Sequence, residues 1–171
     1  MADQRHSELI RCMIGFDAGD PNRIQHFLKV WTFAKVIGEG EQLDENTQFI
    51  LETAAIVHDI GIHICEEKYG HTGGRQQEIE GPPIARSMLE IMDYEPDVIE
   101  RVAWLVGHHH TYTDVKDIDH QILLEADFLV NSFEDQMPEE EIRGFCRKVF
   151  RTKTGISLLE TQYGIQLRED G

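Results

Sequence analysis

His58 and Asp59 stand side by side after an apolar run and directly ahead of Ile60 and Gly61. An imidazole nitrogen beside a carboxylate oxygen suits Fe, Mn, Zn and similar transition ions. A helix end, where the dipole is negative, favours a cation there. Alone, the pair reads equally well as a capping arrangement. His26 lies on a stripe with Val30, Phe33 and Ile37, an apolar helical face. A histidine in that position is either a hydrogen-bonded core residue or a ligand. Asp127 shares one side of a helix with Ile122, Leu123, Ala126 and Val130. A buried ionised carboxylate is costly unless it is paired or coordinates a metal, so a buried salt bridge is its alternative. Three separate helices each direct an expensive polar group inward, and one shared metal accounts for all of them.

The elements that must position these groups read as helices joined by short polar breaks, with no alternating run long enough for a sheet. A first helix is predicted over about Ser7 to Phe16. The second starts at Pro21 with Asp20 as N-cap and ends near Gly38. The third covers about Glu45 to Asp59, followed by a polar loop over Ile62 to Arg75. The next helix is predicted to begin near Gly81-Pro82-Pro83, because first-turn amides need no partner. Further helices open at Pro96, at about Ile118 and after Pro138, and a short one lies near Ile156 to Tyr163. The expectation is one domain over 1–171, with a core at about 20–135 and C-terminal helices over 136–171 packing on it.

With 171 residues the chain can close a real core. Its 40% hydrophobic and 28% charged residues are ordinary for a globular protein. The net charge of −16 argues against broad binding to nucleic acid or to an anionic membrane. An acidic protein handling an anionic ester needs local positive charge, which a metal cation supplies. No apolar stretch is long enough to span a bilayer. Residues 1–8 lack the apolar core of a secretion signal, so a cytoplasmic location is expected. The three cysteines, Cys12, Cys65 and Cys146, show no close pairing and are expected to be reduced, mostly buried thiols. A homo-oligomer remains open.

The order His26, then His58-Asp59, then Asp127, on an all-helical background, resembles the HD superfamily of metal-dependent phosphohydrolases. His58-Asp59-Ile60-Gly61 matches its most recognisable variant, and the resemblance covers roughly Arg23 to Ser132. It implies an all-α bundle in which these four side chains bind one divalent transition metal, Fe or Mn foremost. Relatives with two metals carry a histidine after the His-Asp pair, where Glu80 stands here, and later histidines matched by His108-His109-His110. Glu80 and the triplet are thus candidates to hold a second ion or to meet substrate, with one ion and two both left open. Spacing does not fix the register of the triplet, in which His108 and His109 are the favoured ligands and His110 faces substrate. Lys68 and Arg75, in the predicted loop, are candidates to pair with a phosphate. A solvated surface loop is the alternative for them.

The resemblance implies metal-assisted hydrolysis of a nucleotide or other small phosphate ester, with Asp59 both holding the metal and orienting the attacking water. Dinucleoside polyphosphates are included among the substrates. Two other readings stay open: a di-iron oxygenase of similar ligand set, and a non-catalytic metal-containing module that binds a nucleotide or a partner. The basic residues Arg147, Lys148, Arg151 and Lys153 are either a phosphate-binding cluster or surface balancing nearby glutamates.

Overall fold

Side-chain caps set where the helices begin. In the computed structural model, which describes residues 2–167, Asp20 accepts a hydrogen bond from the Arg23 amide at 3.2 Å and opens α2 (Pro21–Gly40). Asp44 accepts from the Thr47 amide at 2.9 Å and opens α3 (Glu45–Val57). Each cap satisfies a first-turn donor that would otherwise lack a partner. Ahead of them lies α1 (Ala2–Phe16), and after them come α4 (Ile62–Tyr69), α5 (Gly74–Ile91), α6 (Pro96–Val106), α7 (Ile118–Glu134), α8 (Glu139–Val149) and α9 (Lys153–Tyr163). Among the described residues there is no strand, so the fold is all-α, as the sequence pattern predicts.

The bundle is organised around α3, which packs against α1, α2, α6 and α7. Every residue from Ile50 to Val57 is buried, which removes the polar face that a surface helix keeps. Leu51, Ala54, Ala55, Ile56 and Val57 are fully enclosed, and each large aliphatic side chain contributes about 1.5–3 kcal/mol by leaving water. The opposite wall is α7, buried almost throughout and packed on α2 and α3. Helices α8 and α9 pack against α7, and α9 also reaches α2. Glu125, fully buried on α7, accepts from the Arg151 and Thr152 amides and the Thr152 hydroxyl, so it ties the start of α9 to the core. No helix among the described residues is long and apolar enough to cross a membrane. Cys65 and Cys146 are buried free thiols, and Cys12 is an exposed one.

Two segments differ from the sequence reading. The predicted loop after Gly61 holds helix α4, which buries Ile62 and Cys65 and stops at Gly70, a left-handed residue with φ 72°. Eight residues give too short a periodic pattern to outweigh the run Glu66-Glu67-Lys68. Helix α5 starts at Gly74, two turns before the predicted start, and carries Pro82 and Pro83 inside it. An interior proline forfeits a hydrogen bond and costs about 3 kcal/mol. The buried stripe Gln77, Gly81, Ala85 and Leu89 runs through the prolines at four-residue spacing, so packing on both sides holds the helix together.

Gly61 sets how closely α5 approaches. A Cβ at Gly61 would lie 2.9 Å from the Gly81 nitrogen and 3.0 Å from its Cα, so two backbones meet where side chains would keep them apart. We expect Gly61→Ala to force this contact open, costing about 1–3 kcal/mol and lowering the melting temperature by about 3–10 °C. Thermal unfolding followed by circular dichroism measures it, and an unchanged midpoint would contradict the close approach.

Candidate metal centre

Helix α2 carries His26 in its second turn, the C-cap of α3 and the turn after it carry His58 and Asp59, and the middle of α7 carries Asp127. Their polar atoms converge. His26 Nε2 lies 3.3 Å from His58 Nε2, 3.2 Å from Asp127 Oδ1 and 3.1 Å from Asp59 Oδ2. His58 Nε2 is 3.3 Å from the same two carboxylate oxygens. Both imidazoles are nearly inaccessible, at 1% exposure.

The outward-facing nitrogens decide what points inward. His58 Nδ1 donates to the Ala55 carbonyl at 2.7 Å. His26 Nδ1 donates to Glu134 Oε1, and Lys29 donates to the other oxygen of that carboxylate at 3.0 Å. With each Nδ1 proton used outward, a neutral ring turns a bare Nε2 lone pair inward. Two such nitrogens and two carboxylate oxygens then face one another with no proton between them, which a cation at their centre resolves. Ligands about 2.1 Å from a common ion are about 3.0 Å apart in an octahedral arrangement and about 3.4 Å in a tetrahedral one, and the five separations that involve an imidazole, 3.1–3.3 Å, fall between these. His26, His58 and Asp59 offer ligand atoms all within 4.8 Å of one another, a set that does not take in Asp127. The donor set, two imidazoles each held by a partner behind the ring and two carboxylates, fits a divalent metal.

Protons are the alternative occupant. Burial lowers the His26 imidazole, but the Asp127 and Asp59 carboxylates overcome it and raise it to about 9. His58 is raised well above its ordinary value in the same way, against its own burial, chiefly by Asp59. Burial would lift the Asp59 and Asp127 carboxyls, yet the facing imidazoles hold both well below the usual range.

A second group shares Asp59. Its Oδ1 lies 3.3 Å from His109 Nε2, and His109 Nδ1 donates to the Val106 carbonyl at 2.6 Å. Gln77 donates to the Thr72 carbonyl at 2.6 Å, which turns its Oε1 toward His109 Nε2 at 3.2 Å and His110 Nε2 at 3.1 Å. Asp59, His109 and His110 can offer ligand atoms within 4.8 Å of one another. Burial, followed by the neighbouring His109, pulls His110 down to about 4, so it is neutral at ordinary pH.

Four sequence-predicted residues fall elsewhere. His108 stacks on Trp104 with ring centroids 3.9 Å apart and donates to the Trp104 carbonyl, so the inward pair of the triplet is His109 and His110. Glu80 accepts from Tyr69 at 2.7 Å and Lys68 at 3.0 Å. It stands one residue before the inward Gly81, about 100° round the helix from it, and Gln77 faces the histidines instead. Lys68 is thereby held at Glu80, and Arg75 is exposed at the start of α5. Neither lines the cavity of about 190 Å³ above the cluster, whose walls include Arg23, Asp59, Glu66, Thr72, Gln77, His110, Asp127 and Asn131.

Sequence reasoning missed Gln77, Glu134, Arg23 and Asn131. Spacing held a signal for three of them: Arg23 precedes His26 by three residues, and Asn131 and Glu134 follow Asp127 by four and seven, each a same-face interval. Gln77 had none, because its helix was placed too late.

The model of the HD domain family matches residues 23–142, a span that contains every residue of both groups. The chain belongs to the HD domain family, a superfamily of metal-dependent hydrolases whose domains bind divalent metals. No curated protein and no solved structure matches the chain.

Metal loading has to displace the cluster's protons. For the metal-free protein, a raised His26 pKa means that its stabilising contribution is complete below about 6.5 and fades as pH rises through about 9. Metal affinity has the opposite trend and should climb across that window. Calorimetry at pH 7 in two buffers of different ionisation enthalpy should register about one or more protons released per metal. Binding without proton release would mean the imidazoles start out neutral.

Proposed function

We propose that the chain is a metal-dependent phosphohydrolase acting on a small phosphate ester or nucleotide. The observation that carries this reading is that Asp59 and Asp127, which both line an open polar cavity, each lie 3.1–3.3 Å from the Nε2 atoms of His26 and His58. His26, His58 and Asp127 would hold the ion, with Asp59 shared between it and catalysis. When bound, a divalent ion supplies Lewis acidity, which lowers the pKa of water toward neutrality and offsets phosphoryl charge. Asp59 reaches the cavity as well as the cluster, so it can accept a hydrogen bond from the attacking water and aim it. The water oxygen bonds to phosphorus as the ester P–O bond breaks, and the leaving oxygen takes a proton at the open mouth. The overall charge of −16 disfavours polyanionic partners and supports a small-molecule substrate. Asp59→Asn should reduce phosphate release to below about 1% of wild type while the helical circular dichroism spectrum is retained. Retained turnover would remove Asp59 from the mechanism. Full metal loading without turnover on any phosphate ester would instead favour a binding module.

A second ion is supported by the group around Asp59 Oδ1. With His109 donating to Val106 and Gln77 donating to Thr72, the inward atoms are again acceptors facing one another. His109, His110 and Asp59 would hold this ion with the Gln77 carbonyl oxygen. An uncharged amide is a weaker partner than the glutamate expected from the sequence, so the second ion should be the more easily removed. Elemental analysis of manganese-loaded protein should give about two equivalents per chain for wild type and Glu80→Ala, and about one for Gln77→Ala. Loss of metal in the Glu80 variant would reverse the assignment. Iron-loaded protein turning over only in air would point to oxygen chemistry at the same residues.

A further inference from the structure

Among the residues lining the cavity, Arg23 is the one with a permanent positive charge. Its backbone is fixed by the Asp20 cap, and its position three residues before His26 puts both side chains on one face of α2. Nη1 donates to Asp59 Oδ2 at 3.2 Å, the same oxygen that faces His26 and His58. A guanidinium carries five N–H donors. Among the described residues that bond is the side chain's one hydrogen bond, and it is about a third exposed, at 32%. A charged fork thus stands at the edge of the cluster with most of its donors free, in a cavity whose other ionised walls are the carboxylates of Asp59, Glu66 and Asp127.

We infer that Arg23 is the phosphate clamp of this site and that it selects a terminal phosphomonoester. The inference rests on the hydrolase reading above. A planar guanidinium pairs two oxygens of one phosphoryl group at once. A terminal phosphoryl group has three non-bridging oxygens, enough for the fork and one more at the cluster. A diester has two, so engaging both partners there would require an esterified oxygen, and its substituent, to enter the walled cavity. Volume points the same way: about 190 Å³ is below the ~300–1,000 Å³ of sites that enclose a drug-sized ligand. The site therefore seats the phosphoryl end and leaves most of the alcohol portion outside. A polyphosphate chain would need further cations along its path, yet Lys68 is held by Glu80 and Arg75 is not on the walls. This narrows the sequence expectation, which included dinucleoside polyphosphates.

The test uses full-length, metal-loaded protein and inorganic phosphate as the probe, so that binding is read independently of turnover. Wild type, Arg23→Gln and Arg23→Lys are compared after elemental analysis has matched their metal content. Phosphate binding, by calorimetry, should weaken about 10–100-fold in Arg23→Gln and less in Arg23→Lys, which keeps the charge without the fork. Wild type should hydrolyse p-nitrophenyl phosphate with a higher kcat/KM than bis(p-nitrophenyl) phosphate. Arg23→Gln should narrow that ratio mainly by raising KM for the monoester. Equal phosphate affinity in wild type and Arg23→Gln, or a wild-type preference for the diester, overturns the inference and leaves the hydrolase reading standing. A metal-loaded wild type that neither binds phosphate nor hydrolyses any ester overturns both.

Discussion

Two imidazole nitrogens and two carboxylate oxygens meet inside the bundle with their protons committed elsewhere, and most of the architecture follows from keeping them there. The Ala55 carbonyl and the Glu134 carboxylate take the outward protons of His58 and His26, so with the rings neutral the inward atoms are all acceptors. Such a cluster is costly in a low-dielectric interior unless a cation or protons occupy it. Its members come from α2, the turn after α3, and α7, and α2 packs on α3 and on α7 more extensively than any other two helices pack together. Rigid packing of those three helices holds His26 and Asp127, and the turn that directly follows α3 holds His58 and Asp59 beside them.

Asp59 joins the two halves of the site. One oxygen belongs to the His26, His58 and Asp127 group and the other faces His109, so a single carboxylate couples both groups of donor atoms to the cavity. The second half depends on close backbone contact. Gly61 lies against Gly81, and this brings α5 near enough for Gln77 to reach the histidines after α6. The glycine following the His-Asp pair therefore acts on the site indirectly, by setting the approach of a helix to which it is not directly joined.

Charge is distributed in the same economical way. The protein is strongly acidic, and the cavity walls carry three carboxylates against one guanidinium. For the anionic ligand proposed here, a bound ion and Arg23 would have to outweigh that background. The basic residues at and just after the end of α8 are not on the cavity walls: the Arg147 and Arg151 side chains donate to neighbouring backbone carbonyls.

The helical class, most helix starts and the nearness of His26, His58, Asp59 and Asp127 to one another were legible in the sequence, because polar residues interrupt apolar stripes whose period is local. The direction of each remaining side chain was not. Glu80 and His108 turn away, while Gln77 and His110 turn inward, and these differ from the expected residues by only one to three positions. On a helix such a shift is a rotation of about 100° per residue, and it is set by where the helix begins. For α5 that origin comes from a buried stripe running through two prolines and from contact with Gly61, both decided by partners remote in the chain. Glu134 and Arg23 joined the site for the same reason: sequence spacing offered their face of the helix, and only the packing of α2 against α7 gave that face its partners.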